Sequence, residues 1–294
     1  MNILVIGGNR LIGKHLVKHL LRNGHKVTIA TRGLTPDNFG NKIERLVIER
    51  TSAESIANVL GDRYFDVVYD SLAFSSNDVK CLLDSVKCGK YVMTSTVSVY
   101  ENYTTDMSES DFTPENYPLK WCWRADDAYG EVKRQAECAL YQMYNDIPSI
   151  AVRFPFVVGD DDYTKRLHFY VEHIAKSLPM NIDNINEQMS FITSDEAGRF
   201  LATFASNNFL GKINASSRGT IAINEIVRYV EDKCGKKAIL SQDGDNAPYN
   251  GAKTHSMVLD KAVELGFEFS AVKTWIYELL DRIIDEYNEW FCNR

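Results

Sequence analysis

Apolar and polar residues alternate in two rhythms along the first half of the chain. Short apolar runs, typical of buried strands, are followed by stretches in which apolar residues recur every three or four positions, as on one face of a helix. The runs predict strands at residues 3–6, 26–31, 45–49, 65–70, 90–94 and 149–153. The stretches between them predict helices at residues 11–21, 53–60, 78–86 and 126–144. Strands that alternate with helices predict an α/β fold with a Rossmann-type, doubly wound parallel sheet, which binds ligands at the carboxyl ends of its strands.

The rhythm loosens after residue 153. Helical patterns there predict helices near residues 163–176, 194–206, 223–233 and 272–287. We therefore expect a dinucleotide-binding domain over residues 1–153 and a smaller α/β substrate lobe over residues 154–294, with part of the lobe able to return to the first domain. No stretch approaches the roughly 18 apolar residues of a membrane-spanning helix.

Three glycines lie where the first predicted strand meets the first predicted helix. Gly7, Gly8 and Gly13 form part of a Gly7-x-x-Arg10-x-x-Gly13 spacing. A strand that turns through glycines into a helix aims unpaired backbone N–H groups and the positive end of the helix dipole at one place, which suits a pyrophosphate. The turn therefore predicts dinucleotide binding. The alternative is an ordinary strand–helix turn.

Tyr129 and Lys133 are four residues apart in a predicted helix, so their side chains share one face. A tyrosine has an ordinary pKa near ~10, and a nearby ammonium group lowers it. We therefore predict that Lys133 lowers the pKa of Tyr129, which exchanges a proton with a substrate hydroxyl while a nicotinamide exchanges the hydride. Thr96 follows the fifth predicted strand and is expected to hydrogen-bond the reacting oxygen. The alternative is a surface helix with a partly buried tyrosine.

The end of the second predicted strand bears on the choice of dinucleotide. NAD-specific folds have an acidic residue there that binds the adenosine ribose, but this strand ends in Thr31-Arg32-Gly33 and the next acid is Asp37. A guanidinium in this place favours a 2′-phosphate, which Arg10 could also reach from the glycine turn. The sequence thus favours NADP(H) over NAD(H). The alternative is that Arg32 is a solvated loop residue and that the Thr31 hydroxyl binds the ribose.

Composition and charge narrow the class of protein. The 294 residues are 45% hydrophobic and 25% charged, as in an ordinary globular protein. A net charge of −7 argues against broad contact with a nucleic-acid backbone. Six cysteines are scattered without a Cys-x-x-Cys pair, and the N-terminus lacks a signal-peptide pattern. We therefore expect a cytoplasmic protein with reduced thiols, a small-molecule substrate and no membrane or nucleic-acid partner.

Together, the glycine turn, the hydroxyls after the fifth strand and Tyr129-x-x-x-Lys133 resemble the extended short-chain dehydrogenase/reductase family. Within that family the chain is most similar to the NAD-dependent epimerase/dehydratase group. The resemblance covers most of the chain and continues in Arg153-Phe-Pro155-Phe-Val-Val-Gly159, Met189-Ser-Phe-Ile-Thr-Ser-Asp195-Glu-Ala197 and Asp260-Lys-Ala-Val-Glu-Leu-Gly266-Phe. It implies an oxidoreductase or isomerase that acts on a hydroxyl or keto group of a nucleotide sugar. It also implies a homodimer formed through predicted helices 78–86 and 126–144.

The resemblance also implies a role for individual residues. Thr96, where the family usually has serine, orients the substrate, and Tyr129 is the catalytic acid and base. The implied cofactor contacts are Gly7, Leu11, Ile12 and Gly13 at the pyrophosphate, Glu49 at the adenine edge, Leu72 and Ala73 along the cofactor's path, Lys133 at the nicotinamide ribose and the Pro155 backbone at the carboxamide.

Two positions depart from the family pattern. Arg10 occupies the place of the family's middle glycine, as in a subgroup that reads Gly-Gly-Thr-Arg-Phe-Ile-Gly and includes chloroplast RNA-binding proteins that have lost catalytic residues. Asp70-Ser71 replaces the usual His-x-Ala after the fourth strand. Because the threonine, tyrosine and lysine of the catalytic set are all retained, we predict an enzyme. The alternative is a non-catalytic protein of the same fold that binds a cofactor or RNA.

Three smaller features have competing interpretations. His15 and His19 share a spacing that can bind zinc, but with no third ligand nearby we expect a solvated helix face and no metal site. Trp121 and Trp123 have three possible roles: contact with a substrate, packing in the core, or anchoring of the loop before the predicted helix of Tyr129. Arg166 is interpreted by analogy as a contact for an anionic substrate, and the alternative is that it caps its own helix.

Overall fold

A computed structural model describes residues 1–292. In chain order its strands are β1 (Asn2–Ile6), β2 (Lys26–Thr31), β3 (Glu44–Val47), β4 (Tyr64–Phe65), β5 (Val67–Asp70), β6 (Lys87–Cys88), β7 (Tyr91–Thr96), β8 (Ser149–Phe154), β9 (Phe156–Val158), β10 (Pro179–Asn181), β11 (Gln188–Met189), β12 (Phe191–Thr193), β13 (Gly211–Asn214), β14 (Ile221–Ala222), β15 (Ile239–Leu240) and β16 (Asp245–Asn246). Its α-helices are α1 (Leu11–Arg22), α2 (Ala53–Leu60), α3 (Ser76–Leu83), α4 (Tyr129–Met143), α5 (Arg166–Lys176), α6 (Ser194–Thr203), α7 (Ile223–Cys234), α8 (Asp260–Glu264) and α9 (Val272–Cys292). No helix in this part of the chain combines the length and the apolar character needed to cross a membrane.

A seven-stranded parallel sheet runs through the centre of the molecule, in the order β13-β8-β7-β5-β1-β2-β3. The chain adds β2 and β3 on one side of β1 and then adds the later strands on the other side. The loops after β1 and β5 therefore leave in opposite directions and open a crevice at the carboxyl ends of the strands. This arrangement confirms the predicted Rossmann-type fold.

Helices cover both faces of this sheet. Helices α1 and α6 pack together on one face, where Leu16 and Phe200 belong to the same hydrophobic cluster. Helices α3 and α4 pack on the other face, where Leu82 and Leu140 belong to a second cluster. All four side chains are fully buried, and burial of each aliphatic or aromatic side chain of this size stabilises the fold by about 1.5–3 kcal/mol.

Residues after β8 form a further hydrophobic cluster of their own. Its buried members run from Val158 to Ile284 and include the facing sides of α5, α7 and α9. A three-stranded sheet of β15, β10 and β16 belongs to the same part of the chain. Strand β13 returns to the central sheet, where Ile213 is fully buried. The part of the chain after residue 153 therefore contributes a strand to the central sheet.

Predicted and observed helix starts differ where acidic side chains bind backbone N–H groups. Strand β2 and helix α2 have the predicted ends. Helix α4 begins at Tyr129 rather than at residue 126, because the Asp126 carboxylate accepts the Trp123 N–H at 2.8 Å in a turn. Helix α5 begins at Arg166, after a loop in which Asp162 accepts a backbone N–H. Such local bonds compete with the first turn of a helix.

The segment before α4 lies across that helix. No residue at positions 130–142 is exposed. The Gln135 side chain donates to the Pro118 carbonyl at 3.1 Å, and Gln142 donates to the Tyr117 carbonyl at 2.7 Å. The homodimer through predicted helices 78–86 and 126–144 stays a prediction.

Candidate active site

The turn between β1 and α1 can be made only with glycine at two positions. Gly7 has a φ of 84°, in the left-handed region, and its N–H donates to the Ala30 carbonyl at 3.0 Å. A Cβ atom on Gly13 would lie 2.1 Å from the Gly7 carbonyl oxygen. The backbone of the first helical turn therefore lies directly against the end of β1, as the glycine spacing predicted.

The N-terminus of α1 lacks the partners that usually satisfy a helix start. Arg10 is the N-cap residue, but its side chain caps no backbone N–H, and the first turn contains no acidic residue. The first N–H groups of the helix and the positive end of its dipole are therefore left for a ligand. A dinucleotide pyrophosphate fits this position in charge and in its need for hydrogen-bond donors.

Arg10 connects the glycine turn to two other segments. Its Nη2 donates to the Thr35 hydroxyl at 2.6 Å. Its guanidinium carbon lies 5.0 Å from the centre of the Tyr163 ring, which belongs to the loop before α5. Arg10 thus bridges the nucleotide-binding turn and the second lobe through a cation–π contact.

Acidic groups near the end of β2 are already engaged. Asp37, the first acid after this strand, accepts two hydrogen bonds from Arg45, at 2.6 and 2.8 Å. The Thr31 hydroxyl accepts the Gly33 N–H at 3.1 Å, and the Arg32 side chain is exposed. No carboxylate therefore comes from this loop to meet a ribose 2′-hydroxyl.

Glu49, predicted at the adenine edge, is exposed after β3. It accepts hydrogen bonds from the Thr51 hydroxyl at 2.8 Å and from the Thr51 N–H at 3.2 Å. These bonds, together with the nearby Arg32 charge, hold its pKa below the ordinary value for glutamate. Glu49 and Arg32 therefore face each other at the same end of the crevice.

Asp70, at the end of β5, belongs to a buried ionic network. Asp70 is fully buried, and it accepts a hydrogen bond from Arg50 at 2.8 Å and from the Leu72 N–H at 2.9 Å. Burial raises the pKa of Asp70, and the Arg50 charge opposes that rise. Asp78 accepts the Phe74 N–H at 3.0 Å. The two carboxylates thus hold the turn that carries Leu72 and Phe74.

Lys133 lies beneath this turn and is only 3% exposed. Its Nζ donates to the Ala73 carbonyl and to the Thr94 carbonyl, each at 2.7 Å. Burial lowers the pKa of Lys133 to about 8, against a smaller opposing effect of Glu137. An ammonium group has three N–H donors, so one donor is left for the cofactor ribose that the resemblance implies.

Tyr129 stands at the start of α4 and is 47% exposed. Partial burial of its hydroxyl raises its pKa, while the hydrogen bond with the Thr96 side chain and the charge of Arg124 act in the opposite direction. The prediction that Lys133 is the cation that lowers this pKa is wrong, because the Lys133 ammonium points to two backbone carbonyls. The charges of Arg124 and Arg166 oppose the effect of burial, but burial is the larger effect and the pKa of Tyr129 stays above its ordinary value.

The predicted site residues come together at one edge of the sheet. Each follows the carboxyl end of a parallel strand or begins the helix after it, and the Leu72 side chain lies against Gly7. The residues so placed are Gly7, Arg10, Leu11, Ile12 and Gly13 after β1, Thr31 and Arg32 at the end of β2, Glu49 after β3, Leu72 and Ala73 after β5, Thr96 at the end of β7, Tyr129 and Lys133 on α4, and Pro155 after β8.

Arg166 was predicted to contact an anionic substrate, but its N–H groups donate to the segment that precedes its own helix. Nε donates to the Thr164 hydroxyl at 2.8 Å, and Nη2 donates to the Val157 carbonyl and lies 3.4 Å from Asp162. These bonds hold the loop before α5, and because a guanidinium cannot accept a backbone N–H, Arg166 does not cap its own helix as the alternative expected.

The solvated face expected at His15 and His19 is also wrong. Their side chains are 16% and 14% exposed, because α6 packs against α1. His15 contacts Asp161 at 3.1 Å and Asp195 at 3.0 Å, and His19 contacts Asp195 at 3.1 Å. The two histidines therefore tie the nucleotide-binding helix to the second lobe.

The sequence did not predict a role for four residues of this region: Arg124, Phe74, Tyr103 and His255. Arg124 stacks on Phe74, with its guanidinium carbon 4.1 Å from the ring centre. Tyr103 donates to the Ser98 hydroxyl at 3.3 Å and packs edge-on against the buried His255. Only the position of Arg124, just before the catalytic helix, offered a signal. Trp121 and Trp123 in the same loop are 42% and 38% exposed, which excludes core packing.

Comparison with known families identifies the N-terminal part of the chain. Residues 3–84 match the NAD dependent epimerase/dehydratase family. That match and the structural likeness described next confirm the resemblance to extended short-chain dehydrogenases/reductases. The matched segment contains the glycine turn, the Thr31-Arg32 loop and Leu72, and it ends before Tyr129.

A relative known from its sequence is the chloroplast stem-loop binding protein of 41 kDa b from Arabidopsis thaliana. It is 26% identical over 231 residues, which are 73% of this chain and 56% of the relative. The chain thus spans little more than half the length of that relative.

Solved structures of sugar-nucleotide enzymes share the fold over nearly the whole chain. UDP-glucose 4-epimerase from Thermotoga maritima, with UDP-glucose, has a TM-score of 0.77 at 15% identity and covers 99% of this chain and 100% of its own. UDP-glucuronic acid 4-epimerase from Bacillus cereus, with UDP-glucuronic acid and NAD, has 0.77 at 20% identity, covering 98% and 100%. dTDP-glucose 4,6-dehydratase from Bacillus anthracis, with NAD, has 0.72 at 18% identity, covering 99% and 98%.

Proposed function

We propose that the protein is a nicotinamide-dependent enzyme of the epimerase/dehydratase type, which acts on a hydroxyl or keto group of a sugar nucleotide. The observation that carries this proposal is the grouping of Thr96, Tyr129 and Lys133 beside the uncapped start of α1. A hydride carrier held at that helix would lie along the same sheet edge as a proton-transferring tyrosine.

The residues divide the chemistry among themselves. A bound nicotinamide supplies the site for hydride transfer. Tyr129 exchanges a proton with the substrate hydroxyl, and Thr96 orients that hydroxyl through its own. Lys133 is held by two backbone carbonyls, and its remaining N–H donor is the one that we assign to the cofactor ribose.

The substrate class rests on the structural neighbours. Two of the structures that cover the whole fold contain UDP-glucose or UDP-glucuronic acid, and a third is an enzyme of dTDP-glucose. Epimerisation and dehydration would begin by removing a hydride and a proton from the hydroxyl-bearing carbon and its oxygen, whereas reduction would add both to a carbonyl. The proposal leaves the net reaction among these three.

For the cofactor, the residues favour NADP(H) although structural neighbours contain NAD. Asp37 is engaged with Arg45, and the exposed Arg32 is free of hydrogen bonds to the rest of residues 1–292. We expect Arg32→Asp to weaken NADPH binding at least about tenfold more than NADH binding, since it removes a charge-assisted contact with the 2′-phosphate. Equal losses for the two cofactors, or NAD retained through purification, would contradict the NADP(H) assignment.

Tyr129→Phe tests the proposed catalytic role. With UDP-glucose, UDP-glucuronic acid and dTDP-glucose as trial substrates, we expect turnover to fall at least about a hundredfold while cofactor affinity is kept, because only the proton-transferring hydroxyl is lost. Tyr144→Phe is the control, since the Tyr144 hydroxyl binds Asp84 beyond the other end of α4. Unchanged turnover in Tyr129→Phe would exclude this tyrosine as the acid and base.

A non-catalytic role is the second candidate, and the likeness to a stem-loop binding protein favours it. The net charge of −7 speaks against it, because RNA binding depends on cationic contacts with phosphates. Tight binding of a stem-loop RNA, together with no turnover in the unaltered protein, would support this role instead.

A further inference from the structure

Arg124 lies in the loop before α4, beside the tyrosine that begins the helix. Its guanidinium carbon is 4.1 Å from the centre of the Phe74 ring, and the side chain is exposed. Within residues 1–292 it makes no hydrogen bond or ion pair. The contact therefore holds the guanidinium beside Phe74 and leaves its N–H groups available.

Phe74 is itself held in place. Its backbone N–H donates to the buried Asp78 carboxylate at 3.0 Å, and the Lys133 Nζ lies 5.8 Å from its ring centre. Arg124 and Lys133 thus approach the same ring, one from the solvent side and one from the buried side. Lys133 and Tyr129 are one helical turn apart on α4, and the charge of Arg124 reaches Tyr129, so the guanidinium lies beside the proposed proton-transferring tyrosine.

Arg50 and Arg166 are already engaged with the protein, whereas Arg32, which is also unpaired within residues 1–292, lies at the end of β2 near Glu49. Arg50 is paired with Asp70, and Arg166 donates to its own loop. Burial raises the pKa of Tyr129, and the charge of Arg124 opposes that rise. An arginine that is fixed in place but unpaired beside a reacting group is suited to a ligand that brings its own negative charge.

We propose that Arg124 binds a phosphate or carboxylate group of the substrate and so determines that the substrate is anionic. The inference rests on the proposed function, because the anion belongs to the molecule whose hydroxyl faces Tyr129. Arg124 thus takes the anion-binding role that was predicted for Arg166.

Titration of the protein with anions tests this. Inorganic pyrophosphate, UDP and uridine are added to protein saturated with NADPH or NADH, so that the cofactor's own pyrophosphate site is filled. The fluorescence of Trp121 and Trp123, in the Arg124 loop, reports binding. We expect Arg124→Met to bind UDP and pyrophosphate about tenfold or more weaker, and Arg124→Lys to recover part of the loss, since a guanidinium offers a fork that an ammonium does not.

Arg228→Met, which removes an exposed arginine on α7, is the matched control and should change nothing. A defect seen with UDP-glucuronic acid but not with UDP-glucose or UDP would identify the carboxylate as the bound group. Equal binding of every probe by Arg124→Met and the unaltered protein, or no preference of the unaltered protein for UDP over uridine, would overturn the proposal. Cofactor affinity is measured separately, and it tests the proposed function. The anion titrations are repeated without cofactor, so that the Arg124 proposal is tested independently of cofactor binding.

Discussion

Exchanging Glu137 for glutamine would leave a buried arginine without its counter-charge beneath the active site. Arg153 and Glu137 are both fully buried, and two hydrogen bonds of 2.6 and 3.1 Å join them. Arg153 also donates to the Glu109 and Phe112 carbonyls at 3.0 Å, and Glu137 accepts the Ser95 hydroxyl at 2.5 Å. The pair therefore connects β8, α4, β7 and the loop that precedes α4.

The size of the effect follows from burial. Breaking a buried ion pair by removing one partner typically costs about 3–5 kcal/mol, because the remaining charge has lost both water and its partner. Domains are commonly stable by about 5–15 kcal/mol, so Glu137→Gln should remove a large part of the free energy of unfolding. The same change should also lower the pKa of Lys133 further, since Glu137 opposes the effect of burial there.

Chemical denaturation measures this loss. Glu44→Gln is the matched control, because Glu44 forms a similar two-bond pair with Arg63 but is 41% exposed, and we expect it to cost at most about 1 kcal/mol. The double variant Glu137→Met with Arg153→Met should lose less than the sum of the single changes. A Glu137→Gln protein as stable as the Glu44→Gln control would refute the reasoning.

Two further predictions concern pH. Because burial lowers the pKa of Lys133 to about 8, we expect kcat/KM to fall as pH rises through about 8, and a pH–rate profile flat to pH 10 would exclude an essential Lys133 cation. Burial alone would raise the pKa of Asp161, but hydrogen bonds from His15 and Ser194 and the charges of His15 and Lys14 outweigh it and lower the pKa to about 2. A carboxyl group whose folded pKa is depressed stabilises the fold above its unfolded pKa of about 4 and loses that contribution, at most about 2 kcal/mol, as pH falls through about 2. Asp161→Asn should therefore flatten the acid limb of the stability profile, and an unchanged limb would contradict the link between α1 and the second lobe.

Strands, helices and the glycine turn could be predicted from the sequence, because each depends on residues that are close together along the chain. Apolar runs and helical periodicity predicted the alternating strands and helices, and the glycines at positions 7 and 13 predicted the tight turn into α1. The four-residue spacing of Tyr129 and Lys133 placed both on α4. These signals are readable because strand and helix geometry repeats over a few residues.

The pairing of charged side chains is visible only in the folded molecule. Lys133 donates to a carbonyl 60 residues away, Arg50 pairs with a carboxylate 20 residues away, and His15 contacts one 180 residues away. Arg166 donates hydrogen bonds to its own loop. Arg124 lies against the Phe74 ring, and its N–H groups make no hydrogen bond within residues 1–292. Periodicity indicates which face of an element is buried, but it carries no information about the partner packed against that face. The charge and hydrogen-bond partners of a site arise from that packing, and with them the pKa values on which its chemistry depends.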